Sequence, residues 1–186
     1  MWKQFLTQVI LTPRSIGAVV PSSRFLASRV VEVAQAGADE DTVFIELGPG
    51  TGAISRPLIR SRKGSQRVIL IEKNSSFLNG LGELSGDFEL VHACVSELES
   101  QVGGFGVRGN IVLVSSIPWL SLPSLDRKKA QDAIRSLMLR LERVRLVQYT
   151  YAPQSPLELD GVESKLVGKV LLNFPPAWIW VYEKKD

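Results

Sequence analysis

The sequence predicts an α/β domain in which a mostly parallel sheet carries helices on both faces. Apolar runs of strand length alternate with helical patterns along most of the 186 residues, as expected of βαβ units. A glycine-rich turn at 48–52 follows the first apolar run. Two strand-like runs, at about 167–172 and 178–183, follow one another without a helix between them. We therefore expect seven strands with an antiparallel terminal strand, in a single domain over 1–186.

Each predicted element depends on its local pattern. Apolar residues at helical spacing predict an amphipathic helix over 2–11, and Ser22 or Ser23 is expected to cap a second helix. Residues 1–36 are thus expected to form N-terminal helices on a catalytic core at 42–186. These helices would either bind a membrane or cover the substrate. The other predicted elements are strands at about 42–47, 67–72, 88–93, 110–115 and 144–149 and helices at about 53–62, 75–84, 95–101 and 124–142.

The composition narrows the classes of function. Cys94 is the single cysteine and His92 the single histidine, so we expect neither a disulfide nor a metal site. No run reaches the ~18 apolar residues of a membrane span, and no secretion signal is apparent. We expect a cytoplasmic location, with peripheral contact to the inner face of the membrane as the alternative. The net charge of +3 is compatible with anionic lipid or nucleic acid and establishes neither.

The turn after the first predicted strand has the composition of a cofactor-binding loop. Gly48, Gly50 and Gly52 let a ligand approach the backbone without a side chain in the way, and the helix that follows offers free N–H groups. Glu72 ends the next predicted strand, about 20 residues later, where an acid usually holds ribose hydroxyls. These features predict a cofactor that contains adenosine.

Two cofactor classes are consistent with this loop. The spacing Gly48-x-Gly50-x-x-Ala53 satisfies the dinucleotide pattern. Glu46 before the loop, together with the run Gly50-Thr51-Gly52, is instead similar to the first motif of S-adenosylmethionine-dependent methyltransferases. There the acid helps to fix the loop and the cofactor, and we favour this class. The predicted cofactor site is completed by residues at the ends of two neighbouring strands: Ala93, Cys94 and Ser115.

The segment after the fourth predicted strand supplies a candidate acceptor site. Ser116-Ile117-Pro118-Trp119 stands where amino methyltransferases commonly carry Asn or Asp, a variable residue, Pro and an aromatic. A polar side chain there directs the amine lone pair toward the methyl group, and the ring packs against the acceptor and favours the cation that forms. The predicted catalytic residues of this segment are therefore Ser116, Pro118 and Trp119.

Two tyrosines extend the predicted catalytic set. Tyr149 and Tyr151 lie at the end of the fifth predicted strand, and alternation along a strand makes them point the same way. Their hydroxyls are candidates for holding a phosphate or for helping to remove a proton from the amine.

Taken together, these motifs resemble those of the small bacterial phospholipid N-methyltransferases, which convert phosphatidylethanolamine stepwise toward phosphatidylcholine. The matching segments cover much of the chain, at 17–24, 46–52, 115–120, 148–153 and 173–177. The resemblance implies a Rossmann-like class I methyltransferase fold, S-adenosylmethionine as cofactor and a lipid amine as acceptor. It also implies an N-terminal helix that docks on anionic membrane. The substrate-binding residues that it implies are Ser22, Ser23, Arg24, Trp119 and Tyr151.

Departures from that family keep other functions open. The family carries an acid for the adenine amine after the third strand, whereas this sequence has none over Val91–Cys94, and Ser116 replaces the usual amide or acid. The alternatives are another aminolipid or a smaller amine, an rRNA adenine N6-dimethyltransferase-like enzyme, and a methyltransferase-like binding domain without activity. A set of basic residues is either an additional membrane contact or a solvated face: Arg56, Arg60, Arg62, Lys63 and Arg67.

Overall fold

The computed structural model describes residues 20–107 and 109–185, and the predicted helix at 2–11 lies outside them. The strands are β1 Val43–Leu47, β2 Arg67–Glu72, β3 Glu89–His92, β4 Ile111–Ser115, β5 Val144–Thr150, β6 Val162–Val170 and β7 Ala177–Lys184. The helices are α1 Val20–Gln35, α2 Ser55–Arg60, α3 Ser75–Gly82, α4 Leu98–Gly104 and α5 Ser124–Arg140. Short 3₁₀ turns lie at Val95–Glu97 and Trp119–Ser121.

The seven strands form one sheet in the order β3-β2-β1-β4-β5-β7-β6. Strands β1 to β5 are mutually parallel, and β7 runs antiparallel to both of its neighbours, β5 and β6. This arrangement confirms the predicted α/β fold with an antiparallel terminal strand. The C-terminal ends of the parallel strands therefore meet at one edge of the sheet, the carboxyl edge, and the loops opposite form the amino edge.

Two predicted boundaries are wrong. The helix α1 is already formed at Val20, so Ser22 and Ser23 lie within it instead of capping it, and their side chains are outside the described part of the structure. Strand β6 begins at Val162, five residues before the predicted start, because its first half is exposed and polar and therefore shows no apolar run.

The sheet separates two apolar cores. One lies between the sheet and α4 and α5, and the other lies between the sheet and α1 and α2. Strands β1 and β4 are buried along their whole length, which explains their continuous apolar sequences. Side chains alternate between the faces, so Ile45 and Leu47 enter the α5 face while Phe44 and Glu46 enter the α1 face.

Contacts at its C-terminal end orient α1 across the sheet. The Gln35 amide donates to the Ser61 carbonyl oxygen at 3.0 Å and to the Gln66 side chain at 3.2 Å, both at the amino edge. The N-terminal part of α1, including Phe25, therefore lies toward the carboxyl edge. In the described part of the chain, no helix has the length and apolarity that crossing a membrane requires.

Candidate functional site

The glycine loop is a tight turn at the carboxyl edge, between β1 and α2. Gly48, Gly50 and Gly52 have φ angles of 68°, 54° and 77°, a region that favours glycine because other residues meet a steric penalty there. The Gly48 N–H donates to the Ile71 carbonyl oxygen at 2.9 Å, and the Gly52 N–H donates to Pro49 at 2.9 Å. The loop is thus fastened to β2 and closed on itself.

The three glycines differ in what surrounds them. A Cβ atom on Gly48 would lie 3.3 Å from Ile117, and one on Gly52 would lie 3.2 Å from Leu84. A Cβ atom on Gly50 would meet nothing within 4 Å. Gly48 and Gly52 therefore allow the chain to pack closely, whereas Gly50 exposes backbone to open space in which a ligand can approach.

Glu72, predicted to hold the ribose hydroxyls, braces the loop in this structure. One carboxylate oxygen accepts the Gly50 N–H at 3.0 Å, and the other accepts the Asn74 N–H at 2.8 Å. The side chain is nearly buried at the end of β2. Each oxygen retains a second lone pair, so the carboxylate can accept a hydroxyl from a ligand above Gly50 while it holds the loop. Sequence reasoning did not identify the bracing role.

Glu46, predicted to fix the loop and the cofactor, is fully buried. Its two carboxylate oxygens accept hydroxyl hydrogen bonds, from Ser55 at 2.6 Å and from Ser116 at 2.8 Å. Ser55 begins α2, so the carboxylate anchors the helix that follows the glycine loop. Burial is the main cause that raises the pKa of the Glu46 carboxyl to about 7; the two serine hydrogen bonds oppose this shift, and the charge of Glu72 contributes to it.

Ser116 lies where the predicted acceptor site requires a polar group. Its N–H donates to the Leu47 carbonyl oxygen at 2.9 Å, which fixes the residue between β1 and β4 at the carboxyl edge. Its hydroxyl donates to Glu46 at 2.8 Å, and both residues lie near enough to Tyr149 to influence the pKa of its phenol. The structure therefore brings together three predicted site residues whose proximity the sequence did not indicate.

The two tyrosines lie on one side of the sheet, as predicted. The rings of Tyr149 and Tyr151 are 6.0 Å apart and meet edge to face at 73°, and Asn173 in the β6–β7 loop lies near enough to Tyr151 to oppose the rise in its pKa. Burial raises the pKa of both phenols, and for Tyr149 the neighbouring Tyr151 and Glu46 raise it further. Both phenols stay protonated at neutral pH, so neither acts as a base by itself.

Trp119 occupies a different place from the predicted one. Its side chain is 2% exposed and packs in the core on the α5 face. The indole N–H donates to the Gln148 side-chain oxygen at 2.6 Å and to Ser115 Oγ at 3.2 Å. Because the ring is enclosed by the core, it has no free face for an acceptor amine. The prediction that Trp119 packs against the substrate is therefore wrong.

Ser115 and Pro118, which lie near Trp119 in the sequence, also have structural roles because their polar atoms are used within this turn. Ser115 is fully buried and accepts hydrogen bonds from the Trp119 indole and from the Ile117 N–H, so its side chain is not at the predicted cofactor site. Pro118 begins the 3₁₀ turn, and its carbonyl oxygen accepts the Ser121 N–H at 2.8 Å. Both residues shape the turn that carries Ser116.

The remaining predicted residues lie around the same edge. Ala93 and Cys94 follow β3, and His92 contacts the Lys73 carbonyl oxygen at 3.1 Å. Arg24 is exposed near the N-terminal end of α1. No group of three or more potential metal ligands occurs among the described residues, and the predicted lack of a metal stays a prediction.

The basic residues over 56–67 do not surround the site. Arg62 and Arg67 lie at the amino edge, where they pair with Asp87 at 3.5 Å and with Glu89 at 2.6 Å. Of the five, Arg56 alone stands by the glycine loop, where its guanidinium donates to the Thr51 carbonyl oxygen at 3.0 Å. Arg62 and Arg67 are therefore paired away from the site, and an additional membrane contact from this set stays a prediction.

Comparison with known sequences gives a short match. No protein-family model matches the chain. The chain is 33% identical over 91 residues to the ribosomal RNA small subunit methyltransferase A of Rhodopseudomonas palustris strain HaA2, a match that covers 47% of this chain and 30% of that protein. It is 38% identical over 63 residues to the protein of the same description from strain BisA53, over 21% of its length. The chain thus spans less than a third of the curated relatives it matches.

Comparison with solved structures establishes the fold. The structure is similar to that of a SAM-dependent methyltransferase from Anabaena variabilis ATCC 29413, with a TM-score of 0.63, 13% identity and coverage of 99% of this chain and 93% of that chain. It is also similar to the N-methyltransferase NodS from Bradyrhizobium japonicum WM9 in complex with S-adenosylhomocysteine, with a TM-score of 0.60, 10% identity and coverage of 99% and 98%. The chain has the Rossmann-like methyltransferase fold, and the resemblance to phospholipid N-methyltransferases stays a prediction.

Substitution of Gly50 tests whether a ligand occupies the open space above the loop. Gly50→Ala should lower the free energy of unfolding by about 1 kcal/mol, because alanine is strained at positive φ, and should weaken S-adenosylmethionine binding more than ~10-fold. Gly106→Ala is the matched control, because Gly106 has a φ of 60° and nothing within 4 Å of an added Cβ. Calorimetry that shows equal affinity for both variants would contradict a ligand site at Gly50.

Substitution of Trp119 separates a structural role from a role in acceptor binding. Trp119→Phe should lower the free energy of unfolding by about 2 kcal/mol, because it leaves the buried Gln148 oxygen without its donor. Trp180→Phe is the control, since the Trp180 indole N–H has no partner among the described residues. Denaturant unfolding measures both. An unchanged stability for Trp119→Phe, with a raised KM for the acceptor, would restore the catalytic interpretation.

Proposed function

We propose that the chain is an S-adenosylmethionine-dependent N-methyltransferase that acts on the amine head group of a membrane lipid such as phosphatidylethanolamine. The methyltransferase fold and the open space above Gly50 support the cofactor. The backbone of the glycine loop would hold its methionine part, Glu72 its ribose, and the backbone at Ala93 and Cys94 its adenine. When bound, S-adenosylmethionine supplies an electrophilic methyl group on a sulfonium ion.

The polar groups at the carboxyl edge support an amine as the acceptor. Glu46, Glu72, Ser116 and the two tyrosines combine carboxylates with hydroxyls. Carboxylates attract an ammonium head group, and hydroxyl oxygens accept hydrogen bonds from its N–H groups. Ser116 and Tyr149 would orient the nitrogen, while Tyr151, whose ring meets that of Tyr149 edge to face, would border the position.

The observation that carries the lipid assignment is a set of exposed apolar side chains on segments at the carboxyl edge, which we call the apolar rim. Its members are Phe25, Phe77, Leu120, Leu125, Leu171, Leu172 and Phe174. They come from separate segments, namely the N-terminal part of α1, the start of α3, the turn after β4, the start of α5 and the β6–β7 loop. Among the exposed large apolar side chains of the described residues, Leu166 on β6 is the exception.

The β6–β7 loop is the most exposed part of this rim. Leu171, Leu172 and Phe174 are 74%, 71% and 75% exposed. Exposed apolar patches mark surfaces that bind a partner or a membrane. Because the rim residues lie on segments at the same edge as Ser116 and Tyr149, a membrane docked on them would present lipid head groups near the acceptor position. Exposed Arg24 and Lys169 add positive charge toward an anionic surface.

A second candidate function is methylation of an adenine in ribosomal RNA. The matches to ribosomal RNA small subunit methyltransferase A favour it. Such an enzyme would need cations around the site for phosphate contacts. In the described residues, the carboxyl edge carries Arg24, Arg56 and Lys169 but also the exposed apolar rim, while Arg62 and Arg67 are paired at the amino edge. The lipid assignment therefore agrees better with the distribution of charge and apolar surface.

Methyl transfer to vesicles tests the proposed function. The protein should transfer labelled methyl groups from S-adenosylmethionine to vesicles that contain phosphatidylethanolamine and an anionic lipid. Vesicles in which phosphatidylcholine replaces phosphatidylethanolamine are the control, because a quaternary nitrogen has no lone pair to accept a methyl group. An absence of transfer to any aminolipid, despite cofactor binding, would overturn the lipid assignment.

Substitutions in the apolar rim test how the protein reaches its acceptor. Leu172→Asp combined with Phe174→Asp should weaken vesicle binding about 10²-fold, because about 3 kcal/mol of apolar burial is lost, while cofactor affinity stays unchanged. Leu166→Asp is the matched control, an exposed leucine away from the rim. Vesicle co-sedimentation measures both. Equal binding by the rim variant and the control would exclude docking through this loop.

A further inference from the structure

The hydrogen of the Ser116 hydroxyl is held by a carboxylate in the core. The hydroxyl donates to one oxygen of Glu46 at 2.8 Å, while Ser55 donates to the other oxygen at 2.6 Å. An ionised carboxylate only accepts hydrogen bonds, and a serine hydroxyl has one hydrogen and two lone pairs. While Glu46 is ionised, Ser116 Oγ therefore presents lone pairs to a ligand and acts as an acceptor.

Glu46 can act on a substrate only through Ser116. The Glu46 side chain is fully buried, whereas Ser116 is half-buried at the carboxyl edge. Ser116 is also held by its main chain, since its N–H donates to the Leu47 carbonyl oxygen at 2.9 Å. With its backbone and its hydrogen both fixed, the hydroxyl keeps its lone pairs in one orientation. Glu46 is thus a positioning residue for Ser116.

Neighbouring acceptors on the same turn already have donors. The carbonyl oxygens of Ile117 and Pro118 accept N–H groups from later residues of the turn, at 3.0 Å and 2.8 Å. The Ser115 hydroxyl is fully buried on the α5 face of the sheet. Of these four groups, Ser116 Oγ alone combines partial exposure with lone pairs that accept no hydrogen bond from the described residues. It is therefore the atom of the turn best placed to receive an N–H group.

We propose that Glu46, by holding the hydroxyl hydrogen of Ser116, makes Ser116 Oγ favour amines that carry an N–H group. Transfer to primary and secondary amines is then faster than transfer to tertiary amines, and the dimethylated lipid accumulates as the main product. This inference rests on the proposed function, because it requires an amine acceptor beside Ser116.

The preference follows from the number of N–H groups on the neutral amine. The nitrogen loses a proton to water before transfer, because an ammonium ion has no lone pair. A neutral primary amine then has two N–H groups and a secondary amine has one, so each can donate to Ser116 Oγ while its lone pair faces the methyl group. That lone pair forms the new N–C bond as the S–C bond breaks, and the electron pair of the broken bond stays on sulfur. The methylated ammonium loses a proton to water before the next transfer.

The third transfer lacks this hydrogen bond. A neutral tertiary amine has a lone pair and no N–H group, so a methyl group would face Ser116 Oγ instead. The methyl group also keeps water from the oxygen, and a polar atom without a partner is unfavourable. Tyr149 does not remove the difference between the amines. Its phenol stays protonated because burial raises its pKa, so it has both a hydrogen and lone pairs and can pair with either kind of amine.

The residues around the carboxylate provide matched variants. Ser116→Ala removes the oxygen that receives the N–H group, whereas Ser116→Thr keeps a hydroxyl there. Ser55→Ala removes the other hydrogen bond to Glu46 and leaves the Ser116 hydroxyl on the carboxylate. Glu46→Ala leaves Ser116 in place but frees its hydrogen, which can then donate to the nitrogen of a tertiary amine.

The experiment measures kcat/KM on vesicles that contain an anionic lipid and phosphatidylethanolamine, its monomethyl form or its dimethyl form. The assays are run at about pH 8.5, where Glu46, with a pKa of about 7, is ionised. The wild type should methylate each of the first two lipids about 10-fold more efficiently than the third. Ser116→Ala and Glu46→Ala should bring this ratio close to one, whereas Ser116→Thr and Ser55→Ala should retain it. A purely structural role would lower all three values alike and leave the ratio unchanged.

The outcomes separate this inference from the proposed function. An active wild type that methylates all three lipids equally well, or a Ser116→Ala variant that keeps the wild-type ratio, would overturn the inference and leave the lipid assignment standing. A Glu46→Ala variant that binds S-adenosylmethionine and keeps the ratio would overturn the role of Glu46; should this variant not fold, the two Ser116 variants still decide. A wild type that binds the cofactor but methylates no aminolipid would overturn the proposed function and the inference with it.

Discussion

The buried carboxylate of Glu46 is the constraint around which the site is arranged. A charge inside an apolar core is unfavourable unless its oxygens receive hydrogen bonds, and Glu46 receives one from Ser55 and one from Ser116. These bonds connect β1 to the start of α2 and to the loop after β4. Glu72 completes the arrangement by holding the Gly50 N–H from β2. Glu72 thus holds the glycine loop directly, and Glu46 holds the start of the helix that follows it.

Adjacent residues at the end of β4 enter opposite faces of the sheet. Ser115 enters the α5 face, where it joins Trp119 and Gln148 in a buried hydrogen-bonded group. Ser116 enters the α1 face, where it meets Glu46 and Tyr149. The group around Ser115 stabilises the turn, and the group around Ser116 contains the titratable side chains of Glu46 and Tyr149. A shift of one residue in this strand would exchange the two roles, because alternation along a strand sends successive side chains to opposite faces.

The sequence predicted those features that depend on local pattern. The order of strands and helices, the glycine loop and the common side of Tyr149 and Tyr151 follow from apolar periodicity and turn chemistry. Strand β6 was predicted too short because its first half is exposed and polar. Trp119 was assigned to the acceptor because a motif does not say which face of the sheet a ring enters. The contact between Glu46 and Ser116 joins residues 70 positions apart, and periodicity carries no information about such a pair.

The topology also bears on how the charged surface is interpreted. From the sequence alone, the basic residues near 56–67 are either an additional membrane contact or a solvated face. In the structure, the strand direction carries Arg62 and Arg67 to the amino edge, where acidic residues pair with them. The carboxyl edge carries exposed apolar side chains instead. Docking would therefore depend mainly on apolar contact, with a smaller electrostatic contribution from residues such as Lys169.

The central claim is that the acceptor is a lipid amine presented by a membrane, and a competition experiment tests it most directly. The protein is incubated with labelled S-adenosylmethionine, phosphatidylethanolamine vesicles and small-subunit ribosomal RNA in one mixture, and mass spectrometry locates the label in the lipid and nucleoside fractions. We expect the label on the head-group nitrogen, with none above background on adenine. Label on adenine, with unmodified lipid, would contradict the account.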